Sequence, residues 1–129
     1  MSLGCVFPGQ GSQTVGMLAD LASEYPQVEE HFARAGEAIA LPLWDIVQNG
    51  PAERLNSTEI TQPALLVASA ALWAIWRAAG GAQPVLMAGH SLGEYSALVC
   101  AGALSLEDGA LLVHQRGKLM QEAVPNGQG

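Results

Sequence analysis

The feature that limits the fold of this chain most is a serine between two glycines, Gly-His-Ser-Leu-Gly at residues 89–93. This G-x-S-x-G pattern directly follows a short apolar run at residues 85–88. A strand, a sharp turn and a helix in that order form a nucleophile elbow, which exposes the hydroxyl, here that of Ser91. Side chains at the two glycine positions would collide with the strand and the helix, and glycine tolerates the strained backbone angles. The competing interpretation is an ordinary glycine-flanked turn that contains a serine.

The residues after the turn support the elbow. Residues 92–101 are good helix-forming sequence, so the N-terminus of this helix is expected to face a reacting carbonyl and to stabilise negative charge there. The pattern therefore favours an α/β fold in which Ser91 is a nucleophile.

A second glycine-rich segment, residues 6–13 with the sequence VFPGQGSQ, follows an apolar start that predicts a buried strand at residues 3–7. A phosphate-binding loop is excluded because Gly11 is followed by Ser-Gln and not by Lys-Ser or Lys-Thr, and no G-x-G-x-x-G occurs. The better interpretation is an oxyanion hole, built from this loop and the N–H that follows the nucleophile. A tight structural turn is the alternative.

Hydrophobic periodicity predicts that the chain between these two strands is helical. Helical patterns occupy residues 17–23, 26–40, 43–48 and 64–76, and a final helix begins at Ser105 and closes at Pro125. The long helical excursion predicts that the two strands are parallel neighbours with their C-terminal ends together. The Gln10 loop and Ser91 then lie on the sheet edge where open α/β sheets bind ligands.

The segment at residues 64–76 is apolar apart from Ser69. It is too short and too rich in small residues for a membrane span, and we expect a helix buried on nearly all sides. Trp73 and Trp76 on this helix are interpreted as packing residues.

Composition indicates part of a larger cytoplasmic α/β protein. Of the 129 residues, 50% are hydrophobic and 13% are charged, which suits a piece of a larger core better than a small independent domain. The formal net charge of −7 argues against nucleic-acid binding. Cys5 and Cys100 are interpreted as small core residues, and no disulfide, metal site or signal peptide is predicted.

Four segments of the sequence together resemble the malonyl-CoA:acyl carrier protein transacylase family of bacterial fatty-acid synthesis. They are FPGQGSQTVGM at residues 7–17, TQPALL at 61–66, AGHSLGEYSALVCAG at 88–102 and RGKLMQEAVP at 116–125. Their common order makes the resemblance specific, and it covers essentially the whole chain. The acyltransferase domains of polyketide synthases and large fatty-acid synthases are similar too, but the long run after Ser91 looks more like the free-standing enzyme.

The resemblance implies a role for each matching residue. Ser91 matches the nucleophile that carries the malonyl group as an ester, and Gln10 and Leu92 match the residues whose backbone N–H groups form the oxyanion hole. Arg116 matches the arginine that holds the free malonyl carboxylate, a contact that a planar guanidinium makes well.

Two further residues match the substrate site of the family with less definite roles. Gln62 lies in the motif that lines the pocket, and His90 matches the histidine that shapes the site beside the nucleophile. Because neighbouring residues in a strained turn point apart, His90 is a poor candidate for the general base.

The general-base histidine of the family has no counterpart among His31, His90 and His114. We expect His31 to be solvated, and we expect His114 to pack on a helix face different from that of Arg116. A serine without a base is a weak nucleophile at neutral pH. The resemblance therefore implies that residues 1–129 are the N-terminal part of the large α/β acyltransferase subdomain and are inactive alone.

The implied architecture is a hydrolase-like parallel sheet flanked by helices, incomplete here, without the inserted ferredoxin-like subdomain of the family. The implied substrate is malonyl-CoA, the implied partner is acyl carrier protein, and no cofactor, metal, nucleic acid or membrane is expected. Three other interpretations remain open: a serine hydrolase of the esterase type, an acyltransferase domain of a polyketide synthase, and a piece that only folds or binds. A cation at Arg116 favours the transferase, because hydrolases of neutral esters have no use for a buried cation.

Overall fold

The structure, a computed structural model, describes residues 2–123 and consists there of a two-stranded sheet packed against helices. The prediction that Pro125 closes the last helix concerns a residue outside this range. The elements in chain order are β1 (Gly4–Phe7), α1 (Ala19–Glu24), α2 (Gln27–Ile39), α3 (Leu43–Asn49), α4 (Ala52–Leu55), α5 (Thr58–Ala78), β2 (Leu86–Gly89), α6 (Gly93–Cys100) and α7 (Leu106–Ala123).

The two strands are parallel neighbours, which confirms the prediction from the helical excursion. Gly4 pairs with Leu86 at one end of the register and Phe7 pairs with Gly89 at the other. A further hydrogen bond of 3.3 Å from His90 N to Phe7 O continues the pairing past the strand ends. The segments that follow both strands therefore start side by side at the C-terminal edge of the sheet.

Helix α5 is the centre of the core, and every residue from 60 to 71 is buried. The helix begins at Thr58, six residues before the predicted start, and contains Pro63. Its 21 residues make it long and apolar enough to cross a membrane, so the argument that it is too short was wrong. However, 67% of its most apolar stretch is buried inside this protein, as in the core helix of a globular protein. The burial ends at Ala71, and Trp76 is 45% exposed.

Pro63 leaves one carbonyl of α5 without its helical hydrogen-bond donor, and a side chain of α7 supplies a donor in its place. Since proline has no N–H, the Glu59 carbonyl four residues earlier loses its usual partner. His114 Nδ1 of α7 lies 2.8 Å from this oxygen, and the imidazole must carry its proton on Nδ1 to donate there. A Cβ on Gly117 would lie 2.6 Å from Glu59 Cα, so glycine at this position permits the close approach. The hydrogen bond from His114 and the close approach at Gly117 thus hold the start of α5 against α7.

Two sequence predictions about exposure need correction. Strand β1 was expected to be buried, but Val6 is 84% exposed, and Leu86 on β2 is 66% exposed. The reason is that each strand has a single strand neighbour within residues 2–123. His31 was expected to be solvated, but it is partly buried and its Nδ1 lies 2.7 Å from Gln27 O.

The two cysteines were interpreted as small core residues and are only partly buried. Burial raises the pKa of the Cys100 thiol to about 12, and the Cys5 thiol adds to the rise. Cys100 is therefore protonated and unreactive at neutral pH.

Candidate active site

Ser91 occupies a strained turn between β2 and α6, as the G-x-S-x-G pattern predicts. Its φ is 56°, in the left-handed region that residues other than glycine rarely adopt. The turn is closed by hydrogen bonds of 3.0 Å from Gly93 N to His90 O and from Glu94 N to Ser91 O. Ser91 is exposed while Leu92 beside it is buried. The turn thus presents the hydroxyl at the N-terminus of α6, where the helix dipole favours negative charge.

The two glycines of the elbow are required by space. A Cβ on Gly89 would lie 1.9 Å from Gly93 C, and a Cβ on Gly93 would lie 2.3 Å from Phe7 O. Both distances are far below any van der Waals contact, and the atoms met are backbone atoms that cannot turn aside. The strand, the turn and the helix therefore pack closely only because neither residue has a side chain.

The loop after β1 lies against the elbow. A Cβ on Gly9 would lie 2.9 Å from His90 O and 3.3 Å from His90 Nδ1, so the His90 ring covers the loop backbone. Gln10 Nε2 donates to Thr58 Oγ1 at 3.4 Å, and Gln13 Nε2 donates to Asn56 Oδ1 at 2.8 Å. These contacts fix the loop between the elbow and the start of α5.

The two amides predicted to form the oxyanion hole are available as donors. Within residues 2–123, the backbone N–H groups of Gln10 and Leu92 donate to no other group of the protein. By contrast, Gly11 N is occupied by Gln13 Oε1 at 2.8 Å. The role of these two amides in an oxyanion hole, which the resemblance implies, stays a prediction.

Arg116 connects Ser91 to the TQPALL segment through two hydrogen bonds. Its Nη2 donates to Ser91 Oγ at 3.1 Å, and its Nη1 donates to Gln62 Oε1 at 2.8 Å. Gln62 is 1% exposed and donates through Nε2 to the sulfur of Met120 at 3.0 Å. Arg116 itself is only partly buried. A guanidinium with five N–H groups, two of which these bonds use, can still bind an anion beside the serine.

The structure also brings to the site two residues that sequence reasoning did not assign. The guanidinium carbon of Arg116 lies over the Tyr95 ring, 5.4 Å from its centroid, and Met120 contacts Gln62 as described. No local spacing pointed to Tyr95, because Ser91 lies in the turn before α6 and not on the helix itself. No local pattern pointed to Met120.

Within the part of the chain that the structure describes, none of the three histidines forms a hydrogen bond to Ser91. The Nδ1 atoms of His31 and His114 face the carbonyls of Gln27 and Glu59. His114 and Arg116 lie on different faces of α7, as predicted, with His114 buried. His90 is exposed. The hydroxyl of Ser91 has Arg116 as its neighbour and accepts from Nη2 of that side chain.

Comparison with known proteins agrees with this geometry. The acyl transferase domain family matches residues 5–129, which include the elbow, the glycine-rich loop and Arg116. The chain belongs to this family.

The most similar relatives carry one name. The malonyl CoA-acyl carrier protein transacylase of Salmonella typhimurium strain LT2 is 64% identical over 124 residues, which are 96% of this chain and 40% of the relative. The protein of the same name from Bacillus subtilis strain 168 is 46% identical, over 96% of this chain and 39% of the relative. This chain thus spans about 40% of the length of the curated relatives that it matches.

Solved structures give the same picture. The malonyl CoA-acyl carrier protein transacylase of Coxiella burnetii superposes with a TM-score of 0.95 at 58% identity, over 97% of this chain and 40% of that one. A malonyl-transacylase solved in complex with its type II PKS acyl-carrier protein also gives 0.95, at 59% identity, over 98% and 41% of the two chains. The expected α/β acyltransferase fold is therefore confirmed for the part present here.

Proposed function

We propose that the chain is the N-terminal part of the large α/β subdomain of an enzyme that transfers malonyl groups. The donor is malonyl-CoA and the acceptor is the phosphopantetheine thiol of acyl carrier protein, in fatty-acid synthesis. The names of the relatives support both substrates. The observation that carries the proposal is the distance of 3.1 Å between Arg116 Nη2 and Ser91 Oγ.

This distance suits a dicarboxylic acyl group. In a malonyl ester a single methylene separates the ester carbonyl from the free carboxylate, so the carboxylate must bind close to the nucleophile oxygen. Arg116 offers a cation in that place, and a guanidinium binds a carboxylate through two parallel hydrogen bonds. An esterase for neutral substrates would place apolar side chains there instead.

The reaction proceeds in two acyl transfers. Ser91 Oγ attacks the thioester carbonyl of malonyl-CoA, and the N–H groups of Gln10 and Leu92 stabilise the oxyanion. The C–S bond breaks, coenzyme A leaves as the thiol with the serine proton, and malonyl remains on Ser91 as an ester. The thiol of the carrier protein then attacks this ester, and Ser91 recovers its proton.

Gln62 and His90 support this chemistry from either side. Gln62 fixes one edge of the Arg116 guanidinium, and His90 holds the loop that bears Gln10. We propose that the general base that takes the Ser91 proton is a histidine of the longer enzyme, outside the 40% of the relatives that this chain matches. Serine requires such a base at neutral pH.

We further propose that the enzyme is cytoplasmic and uses no metal, cofactor, nucleic acid or membrane. No group of three His, Cys, Asp or Glu side chains among residues 2–123 is arranged to hold a metal ion. The net charge of −7 is unfavourable for binding a polyanion.

The fate of the malonyl group tests the proposal. The full-length enzyme is incubated with malonyl-CoA and either holo acyl carrier protein or the apo form, which lacks the thiol. A transferase forms malonyl-carrier protein with the holo form only and releases little malonate in either case. Rapid release of malonate with both forms, and no labelled carrier protein, would identify a hydrolase instead.

A further inference from the structure

Tyr95 lies beside the candidate active site, but the proposed reaction assigns it no role. It lies in the first turn of α6, four residues after Ser91, and is partly buried against the core. Its ring faces the guanidinium of Arg116, whose central carbon is 5.4 Å from the ring centroid. A cation over an aromatic face within about 6 Å is attracted to it, most strongly where water is excluded.

The guanidinium is held from two directions. Gln62 Oε1 accepts from Nη1 at 2.8 Å, and the guanidinium carbon lies over the Tyr95 ring, 5.4 Å from its centroid. Together these contacts leave the Nη2 edge pointing at Ser91 Oγ. Arginine has many rotamers, and fixing one of them before the ligand arrives lowers the entropic cost of binding.

The sequence positions of the three partners explain why this arrangement is stable. Ser91 and Tyr95 belong to the elbow and its helix, whereas Gln62 belongs to α5 and Arg116 to α7. The arginine is thus clamped between two other helices, and a small tilt of its plane would misalign a bidentate contact with a carboxylate.

We propose that Tyr95 is a positioning residue that sets the preference of the enzyme for acyl groups with a free carboxylate. It acts through Arg116, which it holds in the plane where both N–H donors meet the carboxylate. This inference rests on the proposed function. It predicts that loss of the aromatic face weakens the use of malonyl groups and leaves the use of neutral acyl groups unchanged.

The test compares kcat/KM for malonyl-CoA and acetyl-CoA in the full-length enzyme. Tyr95→Leu removes the aromatic face, and the ratio of malonyl to acetyl should fall roughly fivefold, through a higher KM for malonyl-CoA. Tyr95→Phe keeps the face and should keep the ratio. Acetyl transfer serves as the internal measure of an intact fold, and Tyr95→Met provides a second variant without the ring.

A matched control variant removes an aromatic ring that lies near a different arginine. Trp73 lies 5.8 Å from the guanidinium carbon of Arg77 at the far end of α5. Trp73→Leu should leave the malonyl-to-acetyl ratio unchanged. In an Arg116→Ala background, Tyr95→Leu should cause no further change in the ratio, because its effect passes through the arginine.

The remaining outcomes are distinct. An unchanged ratio in both Tyr95→Leu and Tyr95→Met, with a collapsed ratio in Arg116→Ala, would overturn the role of Tyr95 and leave the proposed function standing. An equal loss of malonyl and acetyl transfer in both variants would make Tyr95 a packing residue and also overturn the inference. An unchanged ratio in Arg116→Ala would contradict the carboxylate site itself.

Discussion

Arg116 Nη2 lies 3.1 Å from Ser91 Oγ, although the two residues are 25 positions apart, Ser91 in the turn before α6 and Arg116 on α7. The serine is placed by the strained turn after β2, and the arginine is placed by the packing of α7 against α5. A hydroxyl and a cation side by side suit an acyl group that carries its own negative charge, which is the basis of the proposed function.

The first prediction removes this cation. Arg116→Ala in the full-length enzyme should reduce malonyl transfer far more than acetyl transfer, because only malonyl has a second carboxylate. The loss of a charge-assisted bidentate contact is expected to cost about 1.5–3 kcal/mol or more in transition-state binding. Steady-state kinetics with both thioesters measures it. Lys118→Ala, an exposed cation two residues further along α7, is the control, and equal losses for both acyl groups in Arg116→Ala would make the arginine structural.

The second prediction concerns the elbow. Gly89→Ala should destabilise the enzyme by about 3 kcal/mol or more and abolish transfer, since its Cβ would lie 1.9 Å from the Gly93 backbone. Gly4→Ala on the paired strand meets only Leu86 O at 3.9 Å and should change stability by less than about 0.5 kcal/mol. Urea unfolding of both variants measures the difference. Similar stabilities for the two variants would show that the turn is not as tight as described.

The third prediction concerns His114. Its replacement by leucine should cost about 1–3 kcal/mol, because the Glu59 carbonyl then loses the donor that substitutes for the missing N–H of Pro63. His31→Leu should cost less, since Gln27 O lies within α2 and keeps its helical partner. Thermal unfolding of the two variants tests this order. The combined variant Pro63→Ala with His114→Leu should recover part of the loss, and a full additive loss would contradict the explanation.

The fourth prediction concerns the isolated piece. A polypeptide of residues 1–129 should show no transacylase activity, because no histidine of the described part bonds to Ser91. It should also associate, since Val6, Val85 and Leu86 expose apolar surface beside the two open strand edges. Sedimentation and a transfer assay measure both properties. A monodisperse and active monomer would show that the base or the domain boundary has been misread.

The sequence predicted the elbow well because its requirements are local. Glycines on either side of Ser91, an apolar run before them and helix-forming residues after them lie within one short segment. The parallel pairing of β1 and β2 was also predictable, since the connection between them is too long and too helical for a hairpin. The resemblance supplied Arg116, which composition and periodicity alone would not have separated from other surface arginines.

Other features depend on contacts between distant segments and were not predictable. Helix α5 begins six residues earlier than expected, and its Glu59 carbonyl, which Pro63 deprives of a helical donor, lies 2.8 Å from Nδ1 of His114, 55 positions away. The position of the Arg116 guanidinium over the Tyr95 ring depends on the relative placement of α6 and α7. The exposure of Val6 depends on which strands lie beside β1. Hydropathy alone predicts that such a residue is buried.

The covalent intermediate tests the central claim most directly. The full-length enzyme is incubated with radiolabelled malonyl-CoA without carrier protein, quenched in acid and digested, and the labelled peptide is identified by mass spectrometry. We expect one malonyl group as an ester on Ser91 and no label in Ser91→Ala, while the variant Ser96→Ala, which changes a buried serine of α6, still carries the label. Label that persists in Ser91→Ala, or that lies on another residue of the wild-type enzyme, would contradict the account.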